Sequence, residues 1–515
     1  MKQLNIMKLQ VNISHSTLLL NTIVNIIKKI QKNSFILKGD IKLMIENKKT
    51  SIIILTYNNL DYNLICLDSI KKYTTAKSFE IIVVDNNSTD GTREWLKKQN
   101  DIKLILNDEN LGFPKGCNIA IEAAEKDNDI LFLNNDTKVT PRWLDNLKIC
   151  LYSDDKIGAT SCITNNCSNY QSINVPYKNM EDLIKFADEN NVSAPEKWEQ
   201  KARLVAFCML IKREVINKIG AFDERFTPGN FEDDDLCMRI IDANYKLMVC
   251  HDSFIHHFGS TSFKKDYTKF NDVLRTNAQK FEEKWRFNSN SQSMLKFDVI
   301  GSINEPVDKE LNILEFNCSL GATLFRLKYM YPNAKLYGIE TDINVARICG
   351  KMIEVMTQDF EENYIMNFRE NKVDFFDYII LGNKLQFSTD PWKLLKEIKK
   401  FLKPGGYVIA TIPNAMHYSV IKDLLIGQFI YNTNSILDRS YNKFFTLSDI
   451  YKIFDECGYI NPYLFHYHNE ITKEDDKFLN QICRIVGENM KGHFLSYEYV
   501  AKFQKDISYN NVFPI

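Results

Sequence analysis

Between positions 51 and 137 the chain alternates short apolar runs with longer stretches of helical spacing. SIIILTYN (51–58), EIIVVDNNSTDGT (80–92) and DILFLNNDT (129–137) are the runs, and LICLDSIKKY (64–73) and GCNIAIEAAEK (116–126) lie between them. Strands apolar on both faces alternating with helices predict a buried parallel sheet covered by helices, an α/β architecture. Each run closes on residues that bury poorly: Thr56, Tyr57 and Asn58, then Asp85 and Asn86, then Asn134, Asn135 and Asp136. One such end serves as an ordinary turn. Three such ends are expected to converge on one crevice, because parallel strands share one carboxyl edge, beyond which α/β sheets bind their ligands.

The alternation restarts after NSNSQSM (288–294), a small, polar and aperiodic stretch that reads as a linker. LNILEFN (311–317), AKLYGIE (334–340), FDYIILG (376–382) and YVIATIP (407–413) are its strands. No internal repeat relates the two halves, and 515 residues exceed one hydrophobic core, so two different α/β units are expected. The expected segments are an N-terminal helical piece (1–48), a first domain (49–287), a linker (288–296), a second domain (297–465) and a C-terminal helical extension (466–515). Leu18, Leu19, Ile23, Ile26, Ile27 and Ile30 give the first of these an apolar stripe, read either as a packing or dimerisation element, the latter making a homo-oligomer, or as a loosely attached tail.

With 65 basic and 66 acidic residues the net charge is -1, so no global field draws the chain to nucleic acid or an anionic membrane. Its twelve cysteines form no CxxC pair and sit mostly among apolar neighbours, as free thiols do in a reducing cytoplasm. TLLLNTIVNII (17–27) is too short and too interrupted for a membrane span, and no signal peptide is evident. A cytoplasmic protein without a transmembrane segment is expected.

IIILTYN, EIIVVDNNSTDGT, NDENLGFPKGCN, LFLNNDT, GAFDERFTPGNFEDDDLCMRI, IHHFGSTS and EEKW follow one another between 51 and 287. As an ordered set they resemble the family 2 glycosyltransferases, whose GT-A fold is Rossmann-like with a mixed sheet. The resemblance implies that Thr56, Tyr57 and Asn58 lie beside the nucleotide of a UDP-sugar donor and that Asp85 accepts a hydrogen bond from uracil. It implies that Asn110, Gly112, Phe113, Lys115 and Asn118 line the diphosphate and ribose. Asn134, Asn135 and Asp136 fall on the family's DxD-type motif, which holds a divalent cation against the phosphates. Here the leading acid is an asparagine, and Asp136 alone keeps the charge. One carboxylate with phosphate and water can hold Mg²⁺ or Mn²⁺. His256 and His257 are candidates for a second ligand. Adjacent side chains of an extended segment point to opposite faces, so at most one reaches the metal.

LCMRIIDANYK (236–246) reads as an amphipathic helix with FEDDD at its start. Acids in a first turn are favoured by free N–H groups and the helix dipole, which accounts for Asp234 and Asp235 and makes Asp234→Asn mild. Glu232 and Asp233 match the family's acidic pair. Attack of an alcohol at an anomeric carbon with inversion needs a carboxylate to take its proton. The resemblance assigns that to Asp233, with Glu232 orienting acceptor or sugar.

LNILEFNCSLGATL (311–324), LYGIETD (336–342), FDYIILGNKLQF (376–387), LLKEIKKFLKPGGYVIATIPN (394–414) and RSYNKFFTLSDIYKIFDECGY (439–459) resemble the class I S-adenosylmethionine-dependent methyltransferases over about 297–465, a doubly wound fold. That family's first strand leads into a D/E-x-G-x-G-x-G loop. Glu315 and Gly321 keep the pattern, Asn317 and Ser319 replace its first two glycines, and Glu340 matches the acid that grips the ribose. The resemblance implies S-adenosylmethionine contacts at Glu315, Gly321 and Glu340, while side chains at 317 and 319 obstruct them.

Three readings stay open. The first is an inverting, metal-dependent transfer of sugar, N-acetylglucosamine before others, from a UDP-sugar to a hydroxyl of a bacterial surface glycan or a surface or flagellar protein. The second is an enzyme that both glycosylates and methylates. The third is a non-catalytic subunit that binds sugar nucleotide or acceptor.

Overall fold

In a computed structural model of the chain, the apolar runs of the first half are strands. They are β1 (Thr50–Thr56), β2 (Phe79–Asp85), β3 (Lys103–Leu106), β4 (Asp129–Leu133), β5 (Thr137–Lys138), β6 (Ile157–Ile163), β7 (Trp198–Lys201), β8 (Cys208–Ile211), β9 (Lys246–Phe254) and β10 (His256–His257). The described residues are 48–259, 267–357, 372–433, 435–468 and 470–506. The helix expected at the N-terminus, and the dimerisation attached to it, lie outside them.

Eight strands form one sheet in the order β3-β2-β1-β4-β8-β6-β9-β7. β1 runs parallel to β2 and β4, and β8 runs antiparallel to β4, so the sheet is mixed. Ile52, Ile54, Ile81, Val83, Leu131 and Leu133 are buried against Leu67, Ile70, Trp143 and Leu147, which is why the middles of these runs are wholly apolar. The register pairs Thr56 with Asp85, so the first two polar ends lie side by side. β5 and β10 form a separate antiparallel pair in which His257 faces Thr137.

The second sheet has seven strands: β11 (Asn312–Phe316), β12 (Lys335–Ile339), β13 (Glu354–Met356), β14 (Phe376–Gly382), β15 (Leu402–Pro413), β16 (Tyr459–His468) and β17 (Ser496–Lys505). Their order is β13-β12-β11-β14-β15-β17-β16, parallel up to β15. β17 inserts antiparallel between β15 and β16. The expectation of a helical extension over 466–515 is thereby corrected. Lys473–Val486 and Lys491–Leu495 are helices, but Ser496–Lys505 is a central strand whose Tyr499, Val500, Ala501 and Phe503 are buried. The linker expected at 288–296 also differs. Ser289–Gln292 is a short helix capped by the Asn288 side chain, and Ser289 is fully buried.

The chain divides into two compact units. Among the described residues, one comprises those up to Trp198, Leu204–Asp233 and those between Met248 and Phe270, and the other comprises Glu199–Arg203, Asp234–Leu247 and those from Asn271 onward. The division falls inside the acidic run. All twelve cysteines are free thiols. No helix among the described residues is long and apolar enough to cross a membrane.

β17 carries a titratable group with a consequence for stability. Burial, and then the neighbouring Asp298 charge, push the Glu498 carboxyl from 4.5 up to about 7. The folded state therefore binds more protons than the unfolded chain between pH 4.5 and 7, and stability falls as pH rises through that window. Glu498→Gln should raise the thermal midpoint at pH 8, by the equivalent of at most about 3 kcal/mol, and leave it unchanged near pH 4. Thermal unfolding of both proteins at the two pH values checks this; an equal difference at both would sink it.

Candidate functional site

At the end of β2 the Asp85 side chain is fully buried. Its Oδ2 receives the Ser88 N–H at 3.1 Å and the Arg93 guanidinium at 2.8 Å. Arg93 is itself fixed by donating to Asn87 Oδ1 and to the Asn107 carbonyl. Asp85 Oδ1 is buried with no hydrogen-bond partner among the described residues. A buried acceptor left open costs stability unless a ligand or water satisfies it, so this oxygen points to a donor such as a base N–H. Arg93 escaped the sequence reading, since nothing in the order of residues ties it to an acid eight positions earlier.

Thr56, Asn58 and Asn135 surround this point. Asn135 donates to Thr56 Oγ1 at 3.3 Å and to Asn63 Oδ1 at 3.0 Å. Asn58 Oδ1 accepts from the Thr89 N–H at 2.8 Å, and the Asn58 N–H donates to Ser88 Oγ at 2.7 Å. Tyr57 stands 43 % exposed at the rim, available for stacking. A cavity of about 530 Å³, lined in part by Asn58, Tyr62 and Asp90, opens beside them.

The Asn110–Asn118 segment does less for a ligand than the sequence implies. Asn110 Oδ1 accepts from Asn86 and from the Gly112 N–H, which folds the loop on itself. Gly112 has φ +77°, and a Cβ there would lie 2.8 Å from Pro228 Cα, so the glycine is required by the 227–228 loop that precedes the acidic helix. The Asn118 amide donates to the Phe222 carbonyl and Glu224 Oε1 and accepts the Phe222 N–H, which clamps that loop. Lys115 is exposed.

β5 follows directly on Asp136, and its pairing with β10 carries His257 to that carboxylate. His257 Nε2 lies 3.1 Å from Asp136 Oδ1, and Nδ1 lies 2.7 Å from the Asn166 carbonyl. A carbonyl only accepts, so Nδ1 carries a proton and Nε2 is left facing the carboxylate oxygen. Those two atoms need a proton or a cation between them. Burial pulls the imidazole down, but the Asp136 carboxylate and Asn166 carbonyl together hold it above its ordinary value. His256 has another partner. Its Nδ1 meets the Tyr177 hydroxyl at 2.6 Å, and burial with the adjacent His257 pushes it down to about 4. Asn134, half-buried, is held through its N–H to the Phe207 carbonyl at 2.8 Å.

Asp136 and His257 suit a divalent cation that takes oxygen and imidazole ligands. No group of three or more acidic, histidine or cysteine side chains joins them among the described residues, so phosphate oxygens would supply the remaining ligands.

The helix Glu232–Asp242 begins on the acidic run. Phe231 enters it with φ +71°, a strained conformation for a bulky residue. Glu232 is buried, and the half-buried Asp233 accepts the Ala206 N–H through Oδ2 at 3.2 Å. The next residue, Phe207, stacks on the His257 ring with centroids 5.4 Å apart. Residues 206 and 207 therefore tie Asp233 to one side and the Asp136–His257 pair to the other, a role the apolar string VAFCML does not announce.

Asp234 and Asp235 do not behave as a solvated first turn. Asp234 Oδ2 takes Arg203 at 2.9 Å and the Ser289 hydroxyl at 2.8 Å. Asp235 is completely buried, with Oδ1 receiving the Trp285 indole at 2.8 Å and Lys284 at 2.6 Å, and Oδ2 receiving Arg239 at 2.8 Å. The mild effect expected of Asp234→Asn is withdrawn, because its partners lie far away in sequence and are themselves largely buried.

In the second unit the residues matched to a cofactor have other tasks. Lys296 donates to Glu315 Oε1 at 2.7 Å and occupies that carboxylate. Glu340 accepts the Ser319 and Asp342 N–H groups and so braces the loop. Gly321 has φ +80° and opens the helix Ala322–Met330, and a Cβ there would press on Cys349 and Phe325 at 3.3 Å. Asn317 and Ser319, at the lost glycine positions, keep left-handed backbone with φ 47° and 54°. The glycine-loop path is thus retained by residues that carry side chains. These residues do not fit S-adenosylmethionine as they stand.

Residues 51–220 match the family model "Glycosyl transferase family 2", and residues 307–458 match "Methyltransferase domain". A curated relative, "Glycosyltransferase AglE" of Haloferax volcanii, is 26 % identical over 211 residues, 39 % of this chain and 64 % of that protein. The chain thus spans less than two thirds of that relative's length. Among solved structures, a mannosyltransferase from Pyrobaculum calidifontis in complex with GDP-Man and Mn²⁺ is 21 % identical, with a TM-score of 0.34, covering 47 % of this chain and 65 % of that one. A SAM-dependent methyltransferase from Archaeoglobus fulgidus is 16 % identical, with a TM-score of 0.30, covering 44 % of this chain and 98 % of that one. The chain thus carries, one after the other, a segment that matches the family 2 glycosyltransferases and a segment that matches a methyltransferase domain.

Proposed function

We propose that the first unit transfers a sugar, with inversion, from a UDP-sugar to a hydroxyl of a surface glycan or a surface or flagellar protein, acting in the cytoplasm with Mn²⁺ or Mg²⁺. The observation that carries this is the pair Asp136 Oδ1 and His257 Nε2, 3.1 Å apart in front of the strand ends and pre-set as two acceptors by the Asn166 carbonyl. Asp85 Oδ1 takes the base N–H, and Tyr57 stacks on the ring. A bound cation neutralises the charge that gathers on the departing diphosphate. Asp233 removes the acceptor proton as the new bond forms, while Glu232 orients sugar or acceptor. Retention of Asp85, Asp136 and Asp233 together favours an enzyme over a non-catalytic binding subunit.

A panel of UDP-sugars with Mn²⁺, UDP-N-acetylglucosamine first, tests the reading by UDP release. Absence of metal-dependent turnover across the panel would overturn it. His257→Ala should raise the Mn²⁺ concentration for half-maximal release at least about tenfold, the scale on which even outer-shell partners of a metal count. His256→Ala should leave that concentration unchanged; the reverse order would reassign the ligand.

A further inference from the structure

The carboxyl ends of β11 and β14 flank the point where the strand order of the second sheet reverses, β12 lying on one side of β11 and β14 on the other. Such a point is where a doubly wound sheet receives its ligand. A side chain of the chain itself sits there. Lys296 Nζ donates to Glu315 Oε1 at 2.7 Å and to the Asn317 carbonyl at 3.3 Å. A Cβ built on Gly382, the last residue of β14, would lie 3.6 Å from the same Nζ. The ammonium therefore lies between the two strand ends. The Lys296 N–H donates to Thr323 Oγ1 at 3.1 Å, and the Leu320 N–H to the Gln292 carbonyl at 3.0 Å, so the segment bearing the lysine is laid along the loop. Glu315 is 1 % exposed, and its Oε2 is buried without a partner among the described residues. A buried carboxylate in that position is costly unless a cation pairs with it, and Lys296 supplies one.

We propose that Lys296 is an internal cation seated where the ammonium group of a cationic cofactor would meet Glu315, so that the second unit refuses S-adenosylmethionine while the lysine is in place. Two like charges compete for one buried carboxylate, and the ligand's ammonium meets Lys296 instead of Glu315. The Lys296 side chain is 35 % exposed, so the crevice reaches solvent and the obstacle is the lysine more than a closed wall. The inference concerns the second unit alone and stands or falls apart from the glycosyltransferase reading.

Equilibrium dialysis of the full chain with S-adenosylmethionine, and separately with adenosine, tests it on the wild type, Lys296→Ala and Lys296→Met. Loss of the charge should tighten S-adenosylmethionine binding at least about tenfold in both variants. Adenosine has no ammonium, and its affinity should not change. Equal binding of S-adenosylmethionine by wild type and both variants, including none by any of them, overturns the proposal. A gain in Lys296→Ala without one in Lys296→Met overturns the role of charge in favour of bulk. Circular dichroism establishes that the variants are folded, and Lys296→Met keeps the test alive if the alanine variant is not.

Discussion

Asp233→Asn should lower the rate of sugar transfer by about 10²- to 10⁴-fold, the contribution of a positioned general base, while UDP affinity stays near that of the wild type. The substitution suits the site. Asp233 is anchored by the Ala206 N–H on one carboxylate oxygen, and an asparagine oxygen accepts that bond equally well. Position and volume are kept, and only the ability to take a proton is lost. The nucleotide contacts assigned to Asp85 and Tyr57 do not involve this side chain, so donor binding and chemistry should separate. UDP titration and single-turnover transfer on the same preparations provide the measurement. Turnover within about tenfold of wild type would remove Asp233 from the role of base.

The second large effect is on stability. Asp235→Ala removes the acceptor shared by Arg239, Lys284 and the Trp285 indole, and leaves two cations around an apolar methyl. Breaking a buried pair from one side costs about 3–5 kcal/mol, because the surviving charges keep their desolvation penalty. Denaturant unfolding followed by tryptophan fluorescence should show the transition of the second unit at a clearly lower midpoint. A shift worth less than about 1 kcal/mol would mean that water or a neighbouring group replaces the carboxylate. Asp234→Asn retains an acceptor for Arg203 and Ser289 but loses the charge, so a loss of about 1–2 kcal/mol is expected.

These two results divide four adjacent carboxylates between chemistry and architecture. The sequence placed them all at the start of a helix and singled out Glu232 and Asp233, which the first unit holds. What it did not reveal is that Asp234 and Asp235 are buried structural anchors. Apart from Arg239, one helical turn after Asp235, their partners lie 31 residues earlier in Arg203, and 55 and 50 residues later in Ser289 and Trp285. No local pattern encodes a contact at such distance.

The histidines follow the same logic. Alternation along an extended segment predicts that at most one of His256 and His257 reaches the metal. Which one depends on the register of β10 against β5, set by the whole sheet and fixed by Asn165, which holds both the N–H and the carbonyl of His257. Asn118 reads as a ligand contact in isolation, yet it is consumed by a loop more than a hundred residues away.

By itself, then, the sequence determined the local and the periodic. Two α/β units, strands buried on both faces, polar ends at their carboxyl edge and acids in the first turn of a helix were all legible in it. All of these follow from side-chain polarity and backbone preference within a few residues. Tertiary structure alone decided which polar group meets which. It brought His257 to Asp136, left Asp85 Oδ1 open, threaded β17 into the second sheet and seated Lys296 against Glu315, because each depends on chain segments folded together from distant positions.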